Sequence, residues 1–265
     1  MRYVVGGPRG GNVHLRLAQY ERALDDGRAL TLAKTIVAAK IHSGERLVRR
    51  WARDADEPDR FRLNRRGDRL RRRLERVDSA RSLDHLRGIE GDAARSYFQA
   101  VEIQTAATPL PFVGRNRRPP RDPVNALLGF AYGLATAELT GAADAVGLDH
   151  QIGFLHRPRS GRPSLSLDLL EELRPVVDRL VIRMVTRREI GPEHFTRTPG
   201  GAVYLSDDGR RHFLGRWEAA KVDRLAHPFL DREVDRWALP MVQATLLARH
   251  LRGDLTHYPP YVIGA

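Results

Sequence analysis

Asp122-Pro123-Val124-Asn125-Ala126-Leu127-Leu128 opens the stretch whose reading decides the fold, and the residues after it stay rich in apolar side chains as far as Ala137. Aspartate followed by proline is a helix start, because proline at the first helical position gives up no hydrogen bond and already has a helical φ. The apolar run from Ala126 to Ala137 is much shorter than the ~20 residues a membrane helix needs. It predicts a buried helix at the centre of a helical protein.

Helical spacing continues on both sides. Leu15, Leu17, Tyr20 and Leu24, then Leu30, Leu32, Ile36, Val37 and Ile41, form two apolar stripes joined near Gly27, with Asn12 placed to cap the first. Ser82 to about Ile103 reads as the next helix, with Ser82 as its cap. Pro109, Pro111, Pro119 and Pro120 then interrupt the pattern and make a loop that is basic at Arg115, Arg117, Arg118 and Arg121. Ser164 caps a long helix to about Thr186, and Pro199-Gly200-Gly201 between Phe195–Thr198 and Ala202–Leu205 signals a β-hairpin. Helices over about 207–225 and 230–252 precede a tail of proline and tyrosine. The fold class is mainly α, a multi-helical domain with one small β-hairpin.

At 265 residues, with 42% hydrophobic content, the chain can bury a core of its own. The absence of cysteine excludes disulfides, iron-sulfur clusters and thiolate zinc, so any metal is held by oxygen and imidazole. The start Met1-Arg2 leads into Gly6-Gly7-Pro8 with no signal-peptide-like apolar run, which predicts a cytoplasmic protein with no membrane partner. A net charge of +12 favours an anionic partner, DNA or RNA first among them. The basic residues are almost all arginine, with lysine only at Lys34, Lys40 and Lys221. Residues 46–76 hold 13 arginines against six acids and include Arg71-Arg72-Arg73. Two readings stand for that run: a solvated helix face, or a face turned to DNA.

Three short segments carry candidate chemistry: Gly88-Ile89-Glu90-Gly91, Gly153-Phe154-Leu155-His156, and Asp168-Leu169-Leu170-Glu171-Glu172. Two carboxylates and an imidazole suit a hard divalent ion, Mn²⁺ or Mg²⁺. Asp168, Glu171 and Glu172 share a helix face, so spacing alone does not choose among them. The glycines beside Glu90 would let other backbone approach closely. Gly6-Gly7-Pro8-Arg9-Gly10-Gly11 lacks the lysine of a P-loop, so neither ATP nor NAD is expected.

The order and flanks of these segments resemble the CRISPR-associated endonuclease and integrase that inserts new spacers into a repeat array. The resemblance runs through Gly11-Asn12-Val13, Leu86-Arg87-Gly88-Ile89-Glu90-Gly91, Gly114-Arg115-Asn116, Asp122-Pro123-Val124-Asn125-Ala126-Leu127-Leu128, Gly153-Phe154-Leu155-His156 and Asp168-Leu169-Leu170-Glu171. Leu251-Arg252-Gly253-Asp254-Leu255 and Tyr258-Pro259-Pro260-Tyr261 fit the branch that accompanies type I-C systems. The resemblance implies that Glu90, His156 and Glu171 are the catalytic metal ligands, with Asp168 a close neighbour, and that Mn²⁺ or Mg²⁺ assists attack of a DNA 3′-hydroxyl on a phosphodiester. Arg115, Arg117, Arg118, Arg157, Arg159 and Arg162 would then clamp phosphates. It also implies that the family's N-terminal β-domain, which dimerises and contacts a small ferredoxin-like companion subunit, is essentially missing. Residues 1–8 would be its remnant or a linker, and residues 9–265 the α-helical catalytic domain. A misplaced start, a split gene or a degenerate copy would each account for that, and the last would leave a non-catalytic helical DNA-binding protein.

Overall fold

Asp25, rather than Gly27, separates the first two helices. α1 spans Val13–Leu24 and α2 spans Asp26–Asp54, and the Asp25 carboxylate accepts the Arg28 amide at 2.9 Å, which fixes the start of α2 ahead of the glycine. The computed structural model describes residues 13–116 and 118–264, so Asn12, the segment 1–8 and Arg117 lie outside the described residues.

α3 (Asp59–Leu74) and α4 (Leu83–Thr105) follow, with Leu63, Leu70 and Val77 buried on the inner face of the arginine-rich run. Ser82 caps α4 as expected, taking the His85 amide at 3.1 Å. α5 (Pro123–Ala145) begins with Asp122 as its cap and Pro123 in its first turn. Its inner face is buried through Val124, Leu127, Leu128, Ala131 and Leu139, but Gly129, Gly133 and Ala137 are exposed. The enclosed helix is instead α6 (Ser164–Thr186), where every residue from Asp168 to Leu173 is buried. The small residues of α5 make it apolar by composition without a second packed face. Ser164 is the first residue of α6, not its cap, and Pro163 holds the cap position.

α2 packs against α3, α4 and α6, and α6 packs against α5, α4 and α8 (Leu239–Arg252). Lys40, Glu90 and Glu171 meet at one level of α2, α4 and α6, while Asp54, Gln104 and Arg183 line one cleft towards the helix C-termini. The three helices therefore run in the same direction.

The expected hairpin is present as β1 (Phe195–Arg197) and β2 (Val203–Leu205), antiparallel with Phe195 opposite Leu205, and α7 (Asp207–Ala219) follows it. A second hairpin replaces the start of the expected last helix. β3 (Arg224–His227) pairs with β4 (Arg232–Asp235), Leu225 opposite Val234, and α8 starts only at Leu239. Burial alternates along β3, with Leu225 and His227 inside, which is the period of a strand.

The second hairpin, α8 and the tail are tied to α6 by a buried polar knot. Glu172 accepts from the Tyr258 hydroxyl, from the Tyr261 amide at 2.8 Å and from Gln243 Nε2 at 3.2 Å, while Gln243 Oε1 lies 2.8 Å from His227 Nε2. Ile263 closes onto α2 by donating its amide to Ser43 Oγ at 3.1 Å. Among the described residues no helix is long and apolar enough to cross a membrane.

Candidate active site

Lys40 on α2 is placed by its helix between two carboxylates from different elements. Its ammonium donates to Glu90 on α4 in a very short contact and to Glu171 Oε2 on α6 at 2.6 Å. Arg174, one turn on, donates to the same Glu171 oxygen at 2.9 Å. Burial alone would raise the Glu171 carboxyl, but Arg174, Lys40 and His156 together hold it well below the usual carboxylate range. Glu171 is thus an ionised carboxylate in a buried position. Pro175 has no amide to return to the Glu171 carbonyl four residues earlier, so that acceptor has no α-helical partner.

The loop before α6 wraps around a single aspartate. Asp168 Oδ2 accepts the amides of Phe154 (2.5 Å) and Leu155 (3.0 Å), and Oδ1 accepts the His156 amide at 2.9 Å and lies 2.7 Å from His156 Nδ1. The aspartate has no exposed surface. This geometry assigns the Nδ1 proton to the bond with Asp168 and leaves His156 Nε2 as the free ring nitrogen. Gly153 is required here, because a Cβ would stand 2.7 Å from Asp168 Oδ2 and 2.8 Å from the His156 carbonyl oxygen. The Gly-Phe-Leu-His sequence is therefore a carboxylate-binding turn that sets one imidazole.

Glu90 and Glu171 converge on one cation, and among the described residues Oε2 of Glu90 and Oε1 of Glu171 take no hydrogen bond. The donor types, two carboxylates and an imidazole with Nε2 free, fit Mn²⁺ or Mg²⁺. The Lys40 ammonium holds the position between the carboxylates, and among the described residues no three acids or histidines gather closely enough to hold a metal ion.

Behind this cluster, Arg174 lies over the Tyr132 ring with its guanidinium carbon 4.3 Å from the centroid, and the Tyr132 hydroxyl donates to Asp178 at 2.6 Å. A cavity of about 40 Å³ separates these residues from Lys40 and Glu90. Burial pushes the Asp178 carboxyl up to about 6 from its ordinary 3.8, against the pull of the Tyr132 hydroxyl and Arg174. Between those values the unfolded chain has released the proton and the folded chain retains it, so stability falls as pH rises through that window. Asp178→Asn is expected to lack that slope and, relative to the parent, to gain roughly 3 kcal/mol of stability between about pH 4 and 7. Urea unfolding across that range reads it; parallel pH curves for the two proteins would contradict the assignment.

The glycines beside Glu90 do not have the expected role. A Cβ at Gly88 or Gly91 would meet nothing within 4 Å, so no neighbouring backbone approaches there. Arg115 does not face outward either, since its guanidinium donates to Asn125 Oδ1 at 2.6 Å and to the Asn116 carbonyl at 2.7 Å, and lies between the rings of Phe98 and Tyr132. Arg118, Arg157 and Arg159 are exposed, with Arg157 3.7 Å from Asp26, and Arg162 is half-buried. Arg71 and Arg72 are exposed, whereas Arg73 is half-buried and 3.6 Å from Asp92. Lys40, Arg174 and Asp178 were not legible as site residues. The one sequence signal for Lys40 is a rare lysine beside the apolar stripe of Ile36, Val37 and Ile41.

The family model for CRISPR associated protein Cas1 matches residues 1–219. The chain is 42% identical over 262 residues to CRISPR-associated endonuclease Cas1 1 of Moorella thermoacetica, covering 97% of this chain and 76% of that protein. It is 44% identical over 267 residues to CRISPR-associated endonuclease Cas1 2 of Rhodospirillum rubrum, with the same coverages of 97% and 76%. Its fold superposes on a Cas1 protein from Thermotoga maritima with a TM-score of 0.78 and 25% identity, over 96% of this chain and 74% of that one. The carboxylates of Glu90 and Glu171, the imidazole set by Asp168 and the helical frame that brings them together thus stand in a chain that belongs to the Cas1 family.

Proposed function

We propose that this chain is a metal-dependent DNA endonuclease and integrase that inserts spacer DNA into a CRISPR repeat array. The observation that carries the reading is the convergence of two ionisable carboxylates, Glu90 and Glu171, on a single cation beside an imidazole whose ring is fixed by Asp168. The relatives from Moorella thermoacetica and Rhodospirillum rubrum, which are named endonucleases, support it.

In this reading Glu90, Glu171 and His156 Nε2 hold Mn²⁺ or Mg²⁺. Bound there, the ion would polarise the phosphoryl group and neutralise charge as an oxygen attacks in line. Asp168 keeps His156 in the tautomer that presents Nε2. Arg174 keeps Glu171 ionised, and Lys40, released from between the carboxylates, supplies a cation to a phosphate oxygen. The new bond joins the attacking 3′-oxygen to phosphorus, the bond to the old 3′-oxygen breaks, and the proton of the attacking hydroxyl ends on the leaving oxygen. One phosphodiester replaces another, so no nucleotide is consumed; water as the attacking group gives nicking instead. The partners in this reading are double-stranded spacer precursor and repeat DNA, a second copy of the chain, and the small ferredoxin-like companion subunit.

A plasmid carrying a repeat, a short duplex, Mn²⁺ and the purified chain make the test. Nicked or strand-transfer products are expected, and Glu171→Gln is expected to reduce them by at least 100-fold. DNA binding with no Mn²⁺-dependent product would favour the alternative, a helical DNA-binding protein without catalysis.

A further inference from the structure

A cleft of about 530 Å³ lies between the C-terminal ends of α2, α4 and α6, lined by Arg50, Arg179, Arg183, Arg187, Arg224 and Arg236. Arg224 lies 3.5 Å from Asp235, and Arg236 covers the Trp217 ring at 4.1 Å. The side chains of Arg50, Arg179, Arg183 and Arg187 make no ion pair or hydrogen bond among the described residues. Asp54 and Asp223 line the same cleft, yet neither comes within ion-pair distance of those four. Arg179 is half-buried in this company. Arginine near a helix C-terminus is favourable to the helix dipole, which explains one or two such residues. It does not explain four guanidiniums without a carboxylate partner, from α2, from α6 and from the Arg187 cap of α6, turned into one concavity.

We infer that this arginine cleft is a second DNA-binding site, separate from the acid cluster, that takes the phosphodiester backbone. Arg179, Arg183 and Arg187 follow one another at one-turn intervals along α6, about 6 Å apart along the axis, and so present a row of bidentate donors to a repeating anion. Along α6 the row of arginines begins about 12 Å beyond Glu171, at Arg179, and ends about 24 Å beyond it at Arg187, the residue that caps the helix. The same three helices that carry Lys40, Glu90 and Glu171 form one wall of the cleft, and Ala220, Asp223, Arg224 and Arg236 form the other. That continuity favours the backbone of the DNA on which the acid cluster is proposed to act over an acidic protein segment, and to that extent the inference rests on the proposed function. Burial lowers the Arg179 guanidinium from its ordinary value, with Tyr261 and Asp223 opposing the shift and Arg50 and Arg183 adding to it.

The test reads binding alone, in EDTA, so that it does not depend on the metal chemistry. A fluorescent 20-base-pair duplex is titrated with the whole chain at several salt concentrations, for the parent, for Arg179→Ala/Arg183→Ala and for Arg50→Gln/Arg187→Gln. Each double variant is expected to keep a parent-like Tm, because no carboxylate partner is lost, and to bind at least ten-fold more weakly at low salt. The log-log salt slope should shrink by about 1.8 for two lost phosphate contacts on B-DNA. Folded double variants with parent-like affinity and slope would overturn the inference. So would an octaglutamate peptide whose binding is lost with the arginines while duplex affinity stays unchanged, since that result assigns the cleft to an acidic partner. Absent Mn²⁺-dependent product with arginine-dependent binding intact would count against the proposed chemistry and for the cleft.

Discussion

Asp168→Ala is expected to destabilise the protein by about 3 kcal/mol or more and to weaken the proposed metal binding by about 10–100-fold. Three backbone amides, those of Phe154, Leu155 and His156, end on this one carboxylate, and Phe154 and Leu155 are buried. Each amide left without a partner costs about 1–3 kcal/mol, and alanine offers none of them an acceptor. Loss of the Nδ1 bond also frees the His156 ring, a change that typically weakens metal binding or activity by about 10–100-fold. Asp168→Asn separates the two effects. Asparagine retains one acceptor oxygen but turns an NH₂ group towards either the amides or the imidazole, so it should be less destabilised than alanine and still lose His156 orientation. Denaturant unfolding reads the first effect, and the histidine ring resonances in NMR read the second. An alanine variant of parent-like stability would mean that the turn at 153–156 does not depend on Asp168.

Lys40→Met should also lower the stability of the metal-free protein but, unlike Asp168→Ala, tighten the binding of Mn²⁺. In the parent the Lys40 ammonium pairs with Glu90 and Glu171, whose side chains are only 25% and 6% exposed. Removing one partner of a buried ion pair is strongly destabilising, because the remaining charge is left uncompensated. Arg174 still pairs with Glu171, so the expected cost is near the lower end of that class, about 3 kcal/mol. Methionine keeps the stem and its packing but cannot compete with a metal for the position between the carboxylates. Saturating Mn²⁺ should therefore raise the Tm of Lys40→Met by more than it raises that of the parent, in proportion to the tighter binding. A variant in which Mn²⁺ binds more weakly than in the parent would show that Lys40 supports the metal rather than standing in its place.

Local signals made much of the fold legible. Asp122-Pro123 marked the start of α5, Ser82 capped α4, and Pro199-Gly200-Gly201 marked the first hairpin, each through chemistry confined to a few residues. The second hairpin was hidden because its strands are four residues each, and their arginines and acids read equally well as a helix surface. The choice of α5 as the central helix failed for a related reason. Hydrophobic composition measures what can be buried, and the enclosed helix, α6, carries Asp168, Glu171, Glu172 and Asp178 because partners from other segments satisfy them. Spacing could not separate Glu171 from Glu172 for the same reason. Glu171 faces Lys40 on α2, whereas Glu172 faces Tyr258 and Tyr261, more than eighty residues further along the chain. The resemblance supplied Glu90, His156 and Glu171, and the structure brings the two glutamates together on Lys40, with His156 close enough to Glu171 to lower its carboxyl.

The central claim is that Glu90, His156 and Glu171 bind one divalent metal, and calorimetric titration with Mn²⁺ tests it most directly. The account predicts a single site in the parent protein, with affinity at least ten-fold weaker in Glu90→Gln, His156→Ala and Glu171→Gln while each variant stays folded. A parent protein that takes up no Mn²⁺, or a Glu171→Gln protein that binds it as tightly as the parent, would contradict it.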